Sequence, residues 1–192
     1  MEHKLAMYIV KQLNKIYPRT ELENIKMAYG LEIILDNGLK LICIMMLAAF
    51  LGFLRETLLV LTGFGVLRLS AGGRHLDKSS LCLVFSSLVT IGGGFLVRLH
   101  IFTKEECIIA LVLALIITAV YAPSGTANNP IHDKYKKILK IRSLFTIGVY
   151  VFFVMFWKDI TVGNALAIGA VCEAITILPI VNPKYSSVKE NT

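Results

Sequence analysis

The chain has 192 residues, of which 56% are hydrophobic and only 17% charged, whereas a water-soluble domain has roughly 45–50% apolar and about 25% charged residues. So few charges cannot cover the surface of a small water-soluble fold, which excludes a cytosolic enzyme, a secreted disulfide scaffold, a coiled coil and a disordered regulator. The 20 Lys and Arg outnumber the 13 Asp and Glu, but they lie between apolar runs without the interleaved aromatics of a nucleic-acid-binding face.

In chain order, Leu5, Tyr8, Ile9, Leu13 and Ile16 recur at helical spacing while Lys4, Lys11, Asn14 and Lys15 fall on other faces, which predicts an amphipathic helix lying on a membrane. Pro18 interrupts it. Thr20 with Glu23 three residues on forms a capping box that starts a second helix, over about 21–36. Glu32 sits on the face of that helix that also carries Ile25, Ala28, Tyr29 and Ile33, and pairing with Asp36 on a solvated edge is one reading of it. The first 16 residues lack the continuous apolar core and small-residue cleavage site of a signal peptide, so targeting is expected from the spans themselves.

Six apolar runs follow, at 39–54, 57–71, 81–99, 107–122, 143–157 and 161–181. The second is short enough to be a re-entrant segment or buried helix, and charge decides against that. With six crossings, one side holds the termini and the stretches 72–80 and 123–142, with sixteen Lys and Arg; the other holds four, Arg55, Arg98, Lys104 and Lys158. This split obeys the positive-inside rule. The expected fold is therefore an all-α, multi-pass membrane protein in one domain. Amphipathic N-terminal helices occupy 1–38, about six transmembrane helices occupy 39–181 and a tail occupies 182–192, with both termini cytoplasmic. No metal or cofactor is indicated: Cys43, Cys82, Cys107 and Cys172 have no CxxC or paired Cys/His spacing.

The densest group of reactive residue types is the stretch 68–82, with Arg68, Gly72, Gly73, His75, Asp77, Ser79 and Cys82. A histidine and a cysteine seven apart can serve as base and nucleophile. On one continuous helix they would stand about 10.5 Å apart, so contact requires a bend, for which the two glycines supply freedom. A helix starting near Ser80 puts Cys82 in its first turns, where backbone amides favour negative charge. Equally, a lone cysteine at the edge of a span serves as a small packing residue. Downstream, Pro123 and Pro130 stiffen a turn followed by Lys134, Lys136, Lys137, Lys140 and Arg142, which suit either orientation against anionic headgroups or docking of an acidic peptide. Glu173 lies inside the last run and needs a partner there. His3, His100 and His132 have no nearby nucleophile.

Four groups of residues then match, in order, the accessory gene regulator B family of membrane cysteine endopeptidases. They are Gly30-Leu-Glu32 with Asn37-Gly38-Leu-Lys40; Arg68 to Gly73 with His75 and Cys82; Tyr121-Ala-Pro123 with Pro130-Ile131; and Glu173-Ala-Ile-Thr-Ile-Leu-Pro179. The chain resembles that family over nearly its whole length. The resemblance implies that Cys82 is the nucleophile and His75 the base, with Arg68, Gly73 and Glu32 supporting the site; Arg74 and Asp77 receive no role. It also implies an AgrD-like pheromone precursor as substrate, cleaved near its C-terminal side through a thioester and cyclised to a thiolactone or lactone. Membrane lipids and a second copy in a homodimer are the other expected partners. A small transporter or a catalytically silent peptide-binding scaffold are the rival readings.

Overall fold

The computed structural model describes residues 2–73, 79–125 and 131–181. Among them the chain is all helical: α1 (Glu2–Ile16), α2 (Glu21–Leu51), α3 (Leu54–Ala71), α4 (Ser79–Arg98), α5 (Lys104–Tyr121), α6 (Asp133–Phe156) and α7 (Ile160–Thr176). They fall into two compact units, Met1–Leu47 and Ala48–Thr192.

In the first unit, α1 keeps its expected amphipathic character, with Leu5, Tyr8, Leu13 and Ile16 exposed along its length. The capping box opens α2. Thr20 N–H donates to Glu23 Oε2 at 2.9 Å, the Thr20 hydroxyl donates to the same oxygen at 2.8 Å, and Glu23 N–H reaches back to Thr20 Oγ1 at 3.4 Å. These bonds hold the Glu23 carboxyl below its ordinary range. The expected boundary near residues 36–39 does not exist, because α2 runs unbroken from Glu21 to Leu51. Asn37 and Gly38 are poor helix formers but cost together only about 1–2 kcal/mol. The turn is tied across by Asn37 Nδ2 donating to Ile33 O at 2.9 Å and by the Asp36–Lys40 ion pair. Asp36 thus pairs one turn onward, and Glu32 instead meets His3 Nδ1 at 2.9 Å on an exposed edge.

The second unit is a bundle in which α3 to α7 alternate in direction. The start of α3 packs on the end of α4, so closely that a Cβ on Gly94 would stand 2.5 Å from Thr57 Oγ1 and one on Gly93 2.9 Å from Val60. Lys104, at the start of α5, donates to Met155 O near the end of α6. Asn164 ties α7 to the turn before α5: its Oδ1 accepts from Phe102 N–H at 3.0 Å and its Nδ2 donates to Phe102 O at 2.9 Å. Helices α3 and α7 run parallel, in contact from Gly63 against Ala165 to Arg68 against Glu173. The segment 57–71 is therefore part of a continuous 18-residue helix, about 27 Å long, similar in length to α5 and α7.

Alternation gathers charges by end. At one end Arg55 Nη2 pairs with Asp159 Oδ2 at 2.8 Å and Arg98 donates to Gly52 O. The other holds the end of α3, the starts of α4 and α6 and the end of α7. Helix α6 begins ten residues before the apolar run at 143, so Lys134, Lys136, Lys137, Lys140 and Arg142 stand on a helix and not, as expected, in a loop. Conversely α7 stops at Thr176 and Ile177–Val181 form turns.

Burial is distributed the reverse of a water-soluble core. Interior positions are dominated by small or polar residues, including Ala165, Ala167, Ala170, Ala174, Thr57, Thr118, Ser143 and Asn164, while Phe50, Leu88, Phe145 and Phe156 face outward. Small residues at helix contacts and large apolar ones outside suit a hydrocarbon solvent. Among the described residues, α2 and α6 are long and apolar enough to cross a membrane, and α4 and α7 contain shorter apolar helices. Only 22% of the apolar window of α6 is buried, so it is no core helix of a water-soluble fold.

Candidate active site

The last turn of α3 is shaped by two consecutive glycines. Gly72 has φ 79° and Gly73 φ 113°, conformations that side chains resist. Gly72 N–H closes the helix on Arg68 O at 3.0 Å. The chain then lies against the α5–α6 connection: Ser124 N–H donates to Ala71 O and Gly73 N–H donates to Ser124 O, both at 2.8 Å, a parallel bridge between Gly72 and Ser124. A Cβ on Gly72 would collide with Ser124 O. Close backbone approach thus requires glycine at 72 even apart from its φ.

On its other side Gly73 faces a polar cluster. A Cβ there would stand 2.6 Å from Thr176 Oγ1, 3.1 Å from Arg68 Nη1 and 3.2 Å from Glu173 Oε1. Arg68 Nη1 donates to Glu173 Oε2 at 3.1 Å and to Thr176 Oγ1 at 3.4 Å, and its guanidinium lies over the Phe64 ring at 5.5 Å. The Thr176 hydroxyl is placed to donate to Glu173 Oε2 at 3.0 Å or to Glu173 O at 2.9 Å. Glu173 is fully buried, and its Oε1 has no hydrogen-bond partner among the described residues. The partner that Glu173 requires is therefore Arg68, 105 positions away.

Helix α4 begins at Ser79, so Cys82 lies in its first turn, partly buried, with Sγ 4.0 Å from Ser86 Oγ. The first amides of a helix have no intrahelical acceptor and carry its positive dipole end, the setting expected for this thiol. Helix α3 stops at Ala71 and α4 starts at Ser79, so no continuous helix links Arg68 to Cys82. His75 and Asp77 lie outside the described residues. The structure brings Arg68, Gly73 and Glu173 together; Glu32 belongs to the first unit. Lys134, Lys136, Lys137 and Arg142 are exposed and Lys140 is half-buried. Lys136 Nζ pairs with Asp133 Oδ1 at 2.6 Å, and that contact holds the Asp133 carboxyl below its ordinary range.

Two members of the cluster receive no role from the sequence. Thr176 stands three residues after Glu173, the spacing that places side chains on one helix face, and that was the available signal. Ser124 acts through its backbone, which leaves no signature in side-chain chemistry.

Residues 2–177 match the family description Accessory gene regulator B. The chain belongs to the accessory gene regulator B family. It is 30% identical to the accessory gene regulator protein B of Staphylococcus epidermidis over 94% of this chain and 91% of that protein. It is 28% identical to the protein of the same name from Staphylococcus aureus, over 94% of each. An AgrB-like protein of Clostridium acetobutylicum is 28% identical over 92% of this chain and 85% of its own length. No solved structure matches. Three of the four residue groups that carried the resemblance, around Arg68–Gly73, Tyr121–Pro123 and Glu173–Thr176, lie at one end of the second unit, so for this family member they describe one place in the fold.

Proposed function

We propose that this accessory gene regulator B protein is a membrane-embedded cysteine endopeptidase that processes an AgrD-like pheromone precursor. The observation that carries the reading is the break between α3 and α4: α3 ends in a glycine turn held by Ser124 and lying on the Arg68–Glu173 pair, and a new helix starts just before Cys82. The Cys82 thiolate attacks the carbonyl of a peptide bond toward the C-terminal side of the precursor. His75 takes the thiol proton and delivers it to the leaving amine. The C–N bond breaks, and the precursor's N-terminal part stays on Cys82 as a thioester. An internal Cys or Ser of the precursor then displaces Cys82 and closes a thiolactone or lactone. Limited access of water at a membrane face lets the tethered nucleophile compete, since it acts at high effective concentration.

Six crossings, with both termini and the Cys82 end cytoplasmic, are supported by the alternation of α3 to α7 and by the sixteen-to-four division of basic residues. The basic start of α6 suits an acidic C-terminal fragment, α1 suits a substrate held on the membrane, and Glu32 supports the site as the family resemblance implies. The working assembly is a homodimer in one membrane domain. The test is precursor cleavage by the purified, membrane-inserted protein. Cys82→Ala and Cys82→Ser should abolish it, while alanine at Cys43, Cys107 or Cys172 retains it. Cleavage by Cys82→Ala would end the protease reading, and alkylation of Cys82 no faster than of the other three cysteines would favour a silent scaffold.

A further inference from the structure

We propose that Glu173 and Thr176 are positioning residues for the Cys82-dependent cleavage, acting by holding Arg68 and the Gly72–Gly73 backbone in one arrangement; this rests on the proposed protease function. A fully buried carboxylate is expensive unless it is paired and hydrogen-bonded. Among the described residues Glu173 meets that requirement with one oxygen only: Oε2 receives Arg68 and Thr176, while Oε1, also buried, points toward Gly73 with no hydrogen-bond partner among them. If Glu173 served only to join α3 to α7, an apolar residue would do so at lower cost. What the carboxylate achieves is direction. It draws the guanidinium away from the face of the bundle and under the backbone of Gly73, where Arg68 Nη1, Glu173 Oε1 and Thr176 Oγ1 all lie about one atom's diameter from where a side chain would start.

Gly73 is thereby held from two sides. The Ser124 carbonyl accepts its N–H, and the polar cluster lies beneath its Cα. It is also the last described residue before the segment that carries His75, two positions on. With both φ angles of the glycine pair positive, the backbone there has wide freedom in isolation, and the cluster removes it. The direction in which the chain leaves α3 is thus set by a residue of α7 more than a hundred positions away. Placement of a base to within about an ångström is worth up to ~100-fold in rate, which makes such a clamp a lever on kcat.

Cleavage of a synthetic precursor by the full-length protein in vesicles, normalised to inserted protein, tests this. Glu173→Gln keeps the shape and loses the charge; Thr176→Val keeps the shape and loses the hydroxyl. Both should lower kcat about 10- to 100-fold with KM changed less than about twofold, and both should slow alkylation of Cys82 at neutral pH. Thr176→Ser, which restores the hydroxyl, should recover most of the lost kcat; a role in packing alone would rank valine above serine. If Glu173→Gln fails to accumulate, the Thr176 pair decides. The clamp is refuted if Thr176→Val keeps wild-type kcat and Cys82 alkylation while Cys82→Ala is inactive. Processing by Cys82→Ala refutes instead the protease reading beneath it.

Discussion

Alanine placed at two glycines of the same helix should have opposite effects. At Gly169 a Cβ would meet Phe64 N at 2.7 Å, Gly63 C at 3.0 Å and Val60 O at 3.0 Å, all backbone atoms of α3. Carbon contacts are comfortable at about 3.5–4.0 Å, and backbone cannot swing aside, so α3 and α7 must part by roughly 0.5–1 Å. Overpacking of this kind costs about 1–3 kcal/mol, and with rigid atoms on every side the upper end applies. Alanine regains about 1 kcal/mol of helix propensity, leaving a net loss of about 2 kcal/mol. At Gly163, in the first turn of the same helix, the nearest atoms are Cys107 Sγ at 3.7 Å and Val154 Cγ1 at 3.8 Å. Contact there is ordinary, and the propensity gain of up to about 1 kcal/mol remains. Thermal unfolding in detergent should show Gly169→Ala lowered by about 4–8 °C and Gly163→Ala unchanged or raised by about 2–4 °C. The same parting would stretch the 3.1 Å contact between Arg68 and Glu173, one turn further along, so Gly169→Ala should also process precursor more slowly. A Tm for Gly169→Ala equal to or above that of Gly163→Ala would refute the reasoning.

Asp159 caps α7 through Thr161 N–H at 2.9 Å and pairs with Arg55; its hydrogen bonds from Thr161, then Arg55, hold the carboxyl below its ordinary range. A depressed folded value makes the stabilisation complete above the unfolded carboxyl range, near pH 4, and lost as pH falls through the lower folded value. Asp159→Ala should thus cost about 1 kcal/mol at pH 7, measured by Tm, and the difference from wild type should shrink on acidification below about pH 4. Changing Lys134, Lys137 and Arg142 to Gln should raise KM for the precursor more than it lowers kcat, and the effect should fade with added salt; unaltered KM would mean that these charges only orient the protein. Single cysteines at Arg55 and Lys158 should react with impermeant reagents from outside intact cells, and one at Ser79 should not; outside labelling at Ser79 would overturn the six-span topology.

Much of the helical layout is local and therefore readable along the chain. Apolar runs, the Thr20–Glu23 cap and the Gly72–Gly73 pair act within a few residues of themselves, and they predicted most helices, the break before Cys82 and the all-α class. A second capping box, Thr103 with Glu106 before α5, is equally local. Where local signals were weak, tertiary packing and turn-to-turn bonds decided. Helix α2 continues through Asn37 and Gly38 because one side-chain bond and one ion pair bridge the turn, and α6 extends back through its basic residues because lysine and arginine are good helix formers. The site divides on the same line. The amino-acid order alone marked the reactive stretch 68–82 and the intramembrane Glu173, and resemblance gave Arg68, Gly73 and Cys82 a place in one chemistry. That Glu173 would meet Arg68 and that Thr176 would complete the pair depended on the close packing of α3 against α7, which Gly63 and Gly169 permit, and that Ser124 would lie along Gly72 depended on the α5–α6 connection folding over the end of α3. Such contacts span more than fifty to a hundred positions, and periodicity, which reports only neighbours three or four residues apart, carries no record of them.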